Sequence, residues 1–180
     1  MNYLLTFADK VGFYAPFILA FLMMFVLQNK QIYFYFFFIG YLINLFINIS
    51  LRFMIKDPRP NTNPELLNMM RSNKKPIDPR VYGMPSGHAQ GTAYTAGFLF
   101  YLFRTVKDVQ IWFYLSVLLT LWTMAQRVIQ KDHSIPQVTV GAILGFTIGY
   151  LVFKYSEKQI SGSLDLREDD ESLQVENFIH

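Results

Sequence analysis

The chain has 180 residues, of which 52% are hydrophobic and 17% aromatic, while only 16% are charged. Its length fits one domain, and the absence of cysteine excludes disulfide bonds, thiolate nucleophiles and cysteine-ligated metals. The formal net charge is +3, and the basic residues are concentrated between apolar segments. A phosphate group or an anionic lipid is therefore a more economical partner than a nucleic acid, and no nucleic acid is expected.

Five apolar segments follow one another along the chain. The first two contain no charged residue, and each approaches the ~20 residues that a helix needs to cross a bilayer. The first stands where a signal peptide would, but it lacks a small-residue cleavage site and is expected to be retained. The pattern predicts an all-α, multi-pass integral membrane bundle of about five transmembrane helices, at residues 13–28, 31–50, 87–103, 109–126 and 136–153.

The connections between these segments differ greatly in length. Residues 51–86 form a long polar stretch with seven basic residues, within which 63–70 suits a short interfacial helix. Five crossings put this stretch and the connection 127–135 on the membrane surface that also carries the N-terminus. Residues 1–155 would form the transmembrane domain, and the acidic residues 156–180 would form a disordered tail on the other side.

Two arginines stand at the end of the second segment, in "LRFMIKDPRP". Pro60 disfavours helix at the residue before it, so Arg59 is expected in a defined loop position. The guanidinium groups of Arg52 and Arg59 suit phosphate, because they form planar bidentate hydrogen bonds and keep their charge. Anchoring by the positive-inside rule is the alternative, and it explains Lys56 equally well.

The stretch "YGMPSGHAQ" (82–90) precedes the third segment. Ser86 suits the N-cap of the helix that follows, and a helix N-terminus presents free N–H groups that favour an anion. Gly87 permits close approach of the backbone, and His88 follows within one turn. Taken alone, the stretch is also typical of an ordinary capped helix.

A third group of residues lies in "RVIQKDHSIPQ" (127–137), between the fourth and fifth segments. Arg127 ends one helix, and His133 follows six residues later. Each of the three groups is by itself typical of a structural role. Together they supply three arginines, a helix N-terminus, a serine and two histidines at one membrane surface. This set predicts a phosphate pocket in which one imidazole attacks phosphorus and another protonates the leaving oxygen.

The three groups resemble the signature of the type 2 phosphatidic acid phosphatase superfamily, which reads K-x6-R-P, then P-S-G-H, then S-R-x5-H-x3-D. The resemblance covers residues from about 50 to 153, and it implies hydrolysis of a lipid phosphate without a metal or another cofactor. It also implies that His133 is the nucleophile and His88 the general acid. The implied phosphate-binding residues are Arg52, Arg59, Ser86, Gly87 and Arg127.

The chain departs from that signature at three positions. Arg52 replaces the lysine, Gln126 replaces the serine, and Gln137 replaces the aspartate that would orient the nucleophilic histidine. Residues 82–90 and 133–138 are similar to the dolichyldiphosphatase branch, which has Y-G-M-P-S-x-H-x-Q and H-x3-Q-V and so matches Gln90 and Gln137. This similarity implies that Gln137 serves the catalytic histidine and that the substrate is a polyprenyl diphosphate whose chain stays in the bilayer. Arg52 remains a departure from the lysine, with its charge kept.

Three other functions stay open from the sequence. A lipid monophosphate such as phosphatidic acid is the competing substrate, and a lipid-phosphate-binding protein with a weakened site is a second class. A transporter is disfavoured, because the polar residues cluster at one surface rather than at mid-membrane. In a eukaryote, the endoplasmic reticulum or another internal membrane with a lumenal site is expected, although the basic stretch favours the cytosol. The oligomeric state is not predicted.

Overall fold

The computed structural model describes residues 3–65, 68, 72, 81–105 and 109–178. Within these residues the chain forms five long helices and no strand, which confirms the predicted all-α bundle. Each of the five apolar segments lies in one helix. The helices are α1 (Tyr3–Val26), α2 (Gln31–Ile55), α3 (Gly87–Thr105), α4 (Gln110–Ile129) and α5 (Ile135–Phe178).

Three of the five helices are long and apolar enough to span a membrane by themselves: Phe7–Val26, Gln31–Ile55 and Ile135–Ser161. The helix α3 is less apolar because it runs through the middle of the bundle, where residues 89–99 are all buried. Its threonine hydroxyls donate to carbonyl oxygens of the preceding turn, as Thr92 Oγ1 does to His88 O at 3.1 Å. A polar group satisfied in this way does not need water, so this helix can lie at membrane depth among the others.

The close packing of α3 against α5 depends on glycines spaced four residues apart. A Cβ atom at Gly141, Gly145 or Gly149 would overlap the backbone of Ser86, Gln90 or Tyr94, respectively. Small residues at this spacing let two helix backbones approach each other in a membrane. The glycine stripe therefore brings the start of α5 directly against the turn that opens α3.

The first helix packs on the fourth through backbone carbonyls. Trp122 Nε1 donates to Ala8 O at 2.9 Å, and Thr123 Oγ1 donates to Gly12 O at 3.3 Å. These bonds place the N-terminal half of α1 beside the C-terminal end of α4. Because α3 and α5 begin at the same end of the bundle, residues of four helices can surround one site there.

The disordered tail predicted over 156–180 stays a prediction. The fifth helix extends past its membrane span, to Phe178. Extending a helix that has already formed costs far less than starting one, and this stretch contains no proline. The short helix predicted at 63–70 falls largely outside the described residues.

Candidate active site

The turn that opens α3 is held against two other helices. Ser86 occupies the N-cap position, where its carbonyl oxygen accepts the N–H of Gln90 at 3.0 Å. Its own N–H donates to Gln137 O at 3.0 Å, at the start of α5. The Ser86 hydroxyl, however, is buried and has no hydrogen-bond partner among the described residues. Ser86 therefore caps by position only, and the hydroxyl that was expected to cap the helix is available to another group.

A buried polar network ties this turn to α2. Asn48 Nδ2 donates to Pro85 O at 3.2 Å and to Gln90 Oε1 at 2.7 Å, and Arg52 Nε donates to Pro85 O at 3.1 Å. The other end of the Gln90 amide donates to Asn44 Oδ1 at 2.9 Å. The network gives Gln90 of the 82–90 motif a structural role, because both ends of its side-chain amide bond to α2. It holds the turn, and with it the guanidinium group of Arg52.

A short pairing of two backbone segments positions Arg59. Pro58 forms an isolated antiparallel bridge with Tyr82, and Arg59 N donates to Val81 O at 3.1 Å. The Arg59 Nε atom is buried without a partner among the described residues. Burial lowers the pKa of this guanidinium group, and the nearby Asp132 raises it. Within the described residues, this Nε–H is therefore left for another acceptor.

The loop after α4 folds back because one carbonyl group accepts two bonds. Arg127 O accepts the N–H of Asp132 at 3.1 Å and the N–H of His133 at 3.2 Å, while Lys131 takes a left-handed conformation with φ 58°. The six-residue spacing thereby places His133 beside Arg127. Asp132 pairs with Arg127 Nη1 at 3.1 Å. Its other carboxylate oxygen accepts from Asn61 Nδ2, also at 3.1 Å, so Asp132 does not take the place of the family aspartate.

Gln137 holds the imidazole ring of His133 from the first turn of α5. Its Oε1 lies 3.2 Å from His133 Nδ1 and accepts the N–H of Ser134 at 3.1 Å. The backbone N–H of Ser134 can only donate, so the Gln137 atom that it contacts must be the carbonyl oxygen Oε1. That oxygen also accepts from His133, so Nδ1 carries the ring proton. The lone pair is then on Nε2, which is buried without a partner among the described residues. Burial and the charges of Arg59, Arg52 and Arg127 lower the pKa of His133 to about 3, against a small rise from Gln137.

The predicted site residues meet at one end of the bundle. Three buried polar atoms in the described part of the chain lack any partner, and all three belong to this end: Arg59 Nε, Ser86 Oγ and His133 Nε2. Buried polar groups in proteins are nearly always paired, so such a cluster points to a missing ligand. Two donors and one lone pair suit a tetrahedral anion that the imidazole can attack.

Two residues that contact the side chains of the site were not predicted from the sequence. Phe13 of α1 lies 5.2 Å from His88 between ring centroids, and the guanidinium carbon of Arg127 lies 5.1 Å from the Phe13 centroid. Asp57 accepts a hydrogen bond from Gln137 Nε2 at 2.6 Å. Phe13 lies outside the stretch that resembles a family, and Asp57 is one of the variable positions between two motif arginines. Neither residue carries a local signal.

Two phosphatases are among the known proteins to which this chain is similar. The lipid A 4'-phosphatase of Helicobacter pylori (strain J99) is 33% identical over 78 residues, or 43% of this chain and 37% of that protein. The chain thus matches little more than a third of this relative's length. The crystal structure of a transmembrane PAP2-type phosphatidylglycerolphosphate phosphatase from Bacillus subtilis has a similar fold. It gives a TM-score of 0.55 over 88% of both chains, at 14% identity.

The family model described as PAP2 superfamily matches residues 32–161. This match extends beyond the 50–153 expected from the motifs, and it includes almost all of α2 and the span of α5. It covers well over half of the chain, and we conclude that the chain belongs to the PAP2 superfamily.

Proposed function

We propose that this protein is a membrane-embedded lipid phosphatase that works through a phosphohistidine intermediate. The observation that carries the proposal is a cluster of three buried atoms without a partner among the residues that the structure describes: Arg59 Nε, Ser86 Oγ and His133 Nε2. A phosphate group fits this cluster, because two of its oxygens would pair with the arginine and the serine. Its phosphorus would then face the imidazole lone pair.

The reaction that we infer has two steps. His133 Nε2 attacks phosphorus, the bond to the leaving oxygen breaks, and His88 donates a proton to that oxygen. Water then attacks the phosphoryl group, gives a proton back to His88, and releases His133 with inorganic phosphate. Arg52, Arg59 and Arg127 would stabilise the negative charge on the transferring group, which is the main source of catalysis in phosphoryl transfer.

We propose that no metal takes part. The groups available to the phosphate are guanidinium, hydroxyl and imidazole groups, which bind an oxyanion directly. In the described part of the chain, no three histidine, aspartate or glutamate side chains come together in a way that could hold a metal ion. A chelator in the assay tests this point.

An apolar cleft beside the site supports a lipid substrate. Pro16 and Phe17 of α1 and Leu45 of α2 line this cleft, and it ends at Arg52 and His88. The cleft lies between two helices that are apolar enough to span the membrane. An acyl or polyprenyl chain lying there would stay in the bilayer while its phosphate group reached the arginines.

The two glutamines that depart from the family signature are both used. Gln126 Oε1 accepts from Arg127 Nε at 2.7 Å, which holds that guanidinium group. Gln137 accepts at His133 Nδ1, which holds the ring and its tautomer. These contacts favour catalysis over a site that only binds lipid phosphates. Binding of a lipid phosphate without its hydrolysis would support a protein that only binds lipid phosphates.

We propose a polyprenyl diphosphate as the preferred substrate, on the similarity of 82–90 and 133–138 to the dolichyldiphosphatase branch. The main competitor is a lipid monophosphate such as phosphatidic acid. The names of the two relatives indicate two further candidates, the 4'-phosphate of lipid A and phosphatidylglycerolphosphate. Two motif residues contact other protein groups: Gly83 packs against Gln137, and Gln90 bonds to Asn48. These contacts do not distinguish a diphosphate from a monophosphate, and a substrate panel does.

The experiment is phosphate release by the purified protein in detergent with a chelator present. The panel pairs a polyprenyl diphosphate with its monophosphate, phosphatidic acid and phosphatidylglycerolphosphate. We expect release by the wild type, loss in His133→Ala, and unchanged release in the matched control His180→Ala. Equal release by wild type and His133→Ala would contradict the mechanism, and a higher kcat/KM on a monophosphate would contradict the substrate.

We also propose that the site faces the lumen or the cell exterior. The arginines at positions 52, 59 and 127 contribute to the basic excess on this side, but the phosphate site accounts for them without the positive-inside rule. A cysteine introduced at Ser172 in the acidic tail would then lie in the cytosol, because the tail is on the opposite side. In sealed vesicles with the cytosolic face outward, a membrane-impermeant thiol reagent should label it without permeabilisation. Labelling of such vesicles only after permeabilisation would reverse the assignment.

A further inference from the structure

The side-chain amide of Gln137 is hydrogen-bonded at both ends. On one side Oε1 faces His133 Nδ1 at 3.2 Å, and on the other Nε2 donates to Asp57 Oδ2 at 2.6 Å and to Pro58 O at 2.9 Å. A carbonyl oxygen can only accept, so the contact with Pro58 fixes the NH₂ group on the side of Asp57. The three side chains therefore form an ordered row: imidazole, amide, carboxylate.

The chain is built to keep this row in place. The Asp57 carbonyl accepts the N–H of Gly83 at 2.8 Å, next to the bridge between Pro58 and Tyr82. Gly83 in turn leaves room for the amide, because a Cβ atom there would lie 2.7 Å from Gln137 Cδ. The same backbone pairing that positions Arg59 thus positions the Asp57 carboxylate.

The row has an electrostatic direction. The positive NH₂ end of the amide faces the carboxylate and its negative oxygen faces the imidazole ring. A short hydrogen bond to a charged group polarises the amide, which makes its oxygen a stronger acceptor. His133 gains positive charge when it attacks phosphorus. The other charged groups facing it are the guanidinium groups of Arg52, Arg59 and Arg127, which oppose that charge.

We propose that Asp57 is a positioning residue of the active site, and that it supplies through Gln137 the negative charge that the family signature places directly beside the histidine. This inference rests on the proposed function. Asp57 does not touch the substrate. It keeps the proton on His133 Nδ1 and stabilises the imidazolium form that develops during attack.

A purely structural role for Asp57 would be to tie the loop to α5. The backbone pairing already provides that tie, so charge is the property to test. Asp57→Asn keeps the shape and an acceptor oxygen for the Gln137 amide but removes the charge. The double variant Asp57→Asn with Gln137→Glu exchanges the carboxylate and the amide. In this exchange variant the carboxylate contacts His133, and the amide introduced at position 57 donates to that carboxylate.

The first test is kinetic, on the best substrate of the panel. Outer hydrogen-bond partners of metal-bound histidines contribute about 10- to 100-fold to activity, and we expect a loss of kcat of the same order for Asp57→Asn. KM should change less than about twofold, since phosphate contacts stay. The exchange variant should recover part of the lost kcat, since Pro58 O loses the donor that Gln137 Nε2 provides. The matched control is Glu157→Gln, which removes a carboxylate paired with Lys154 at the opposite end of the bundle and should have no effect.

The second test is the proton NMR signal of His133 Nδ1–H, which does not depend on turnover. We expect an upfield shift in Asp57→Asn, and in the exchange variant a signal downfield of the wild type. An unchanged signal and an unchanged kcat in Asp57→Asn would overturn the inference. Absence of phosphate release by the wild type would instead overturn the proposed function, and the NMR signal would still decide the role of Asp57.

Discussion

Arg52 donates a hydrogen bond from Nε to the carbonyl oxygen of Pro85 at 3.1 Å. Its Nη2 lies beside the next glycine of the turn, 3.0 Å from where a Cβ atom at Gly87 would stand. One guanidinium group therefore holds the P-S-G-H turn and presents a further donor at its tip. A lysine, which the family signature has here, offers a single nitrogen for both contacts.

We expect Arg52→Lys to lower activity although it keeps the charge. A hydrogen bond to a charged group contributes about 1.5–3 kcal/mol, so losing one of the two contacts should reduce kcat/KM about 10- to 100-fold. Phosphate release at several substrate concentrations measures the effect. Arg104→Lys, at the far end of α3, is the control. Wild-type kcat/KM in Arg52→Lys would mean that the Nε contact with Pro85 has no role in catalysis.

Ser86→Ala should separate stability from activity. The Ser86 hydroxyl is buried and has no partner in the part of the chain that the structure describes. Such a group costs about 1–3 kcal/mol, so its removal should leave the free energy of unfolding unchanged or slightly higher. Phosphate release should nevertheless fall, since a phosphate donor is lost.

Ser116→Ala is the matched control for that variant. Ser116 Oγ donates to Phe113 O at 2.7 Å in the body of α4, so its loss should lower stability by about 1 kcal/mol and leave activity intact. Thermal unfolding in detergent and phosphate release are measured on both variants. A clear loss of stability in Ser86→Ala would show that its hydroxyl has a structural partner.

The sequence predicted those features of the molecule that depend on local signals. Helix-length apolar segments and motif spacings are such signals, and they led to the five helices and to the residues that meet at the candidate site. Other features depend on contacts between distant segments. The role of the α5 glycines depends on their contact with the α3 backbone. The role of Asp57 depends on its hydrogen bond with Gln137, 80 positions away. The single hydroxyl of Ser86 matched a capping pattern, but the folded turn leaves it unpaired.

His88→Ala should impair substrates according to their leaving group. A general acid contributes about 10²- to 10⁴-fold when the leaving oxygen is strongly basic, and far less when it departs readily as an anion. We expect a large fall in kcat/KM with an alkyl phosphate and a small one with p-nitrophenyl phosphate, because kcat/KM reports the step that breaks the bond to the leaving oxygen and not the later attack of water. The ratio of the two rates in variant and wild type is the measurement. An equal fall for both substrates would assign His88 to phosphate binding instead.

Gly145→Leu should destabilise the bundle. A Cβ atom at Gly145 would overlap the Gln90 carbonyl group, and neither helix backbone can yield without separating α3 from α5. Overpacking of this kind costs about 1–3 kcal/mol or more, so the midpoint of thermal unfolding should fall. Ile143→Leu, at a largely exposed position on the same helix, should leave the midpoint unchanged. A wild-type midpoint in Gly145→Leu would contradict the glycine packing.

The central claim, attack by His133 on phosphorus, is tested most directly by trapping the intermediate. The protein is mixed with phosphate-labelled lipid substrate, quenched in alkali within one turnover, and digested for mass spectrometry. The proposed mechanism predicts a phosphoryl group that is stable in alkali, labile in acid, and located on the peptide containing His133. A phosphoryl group on another residue, or turnover that persists in His133→Ala, would contradict it.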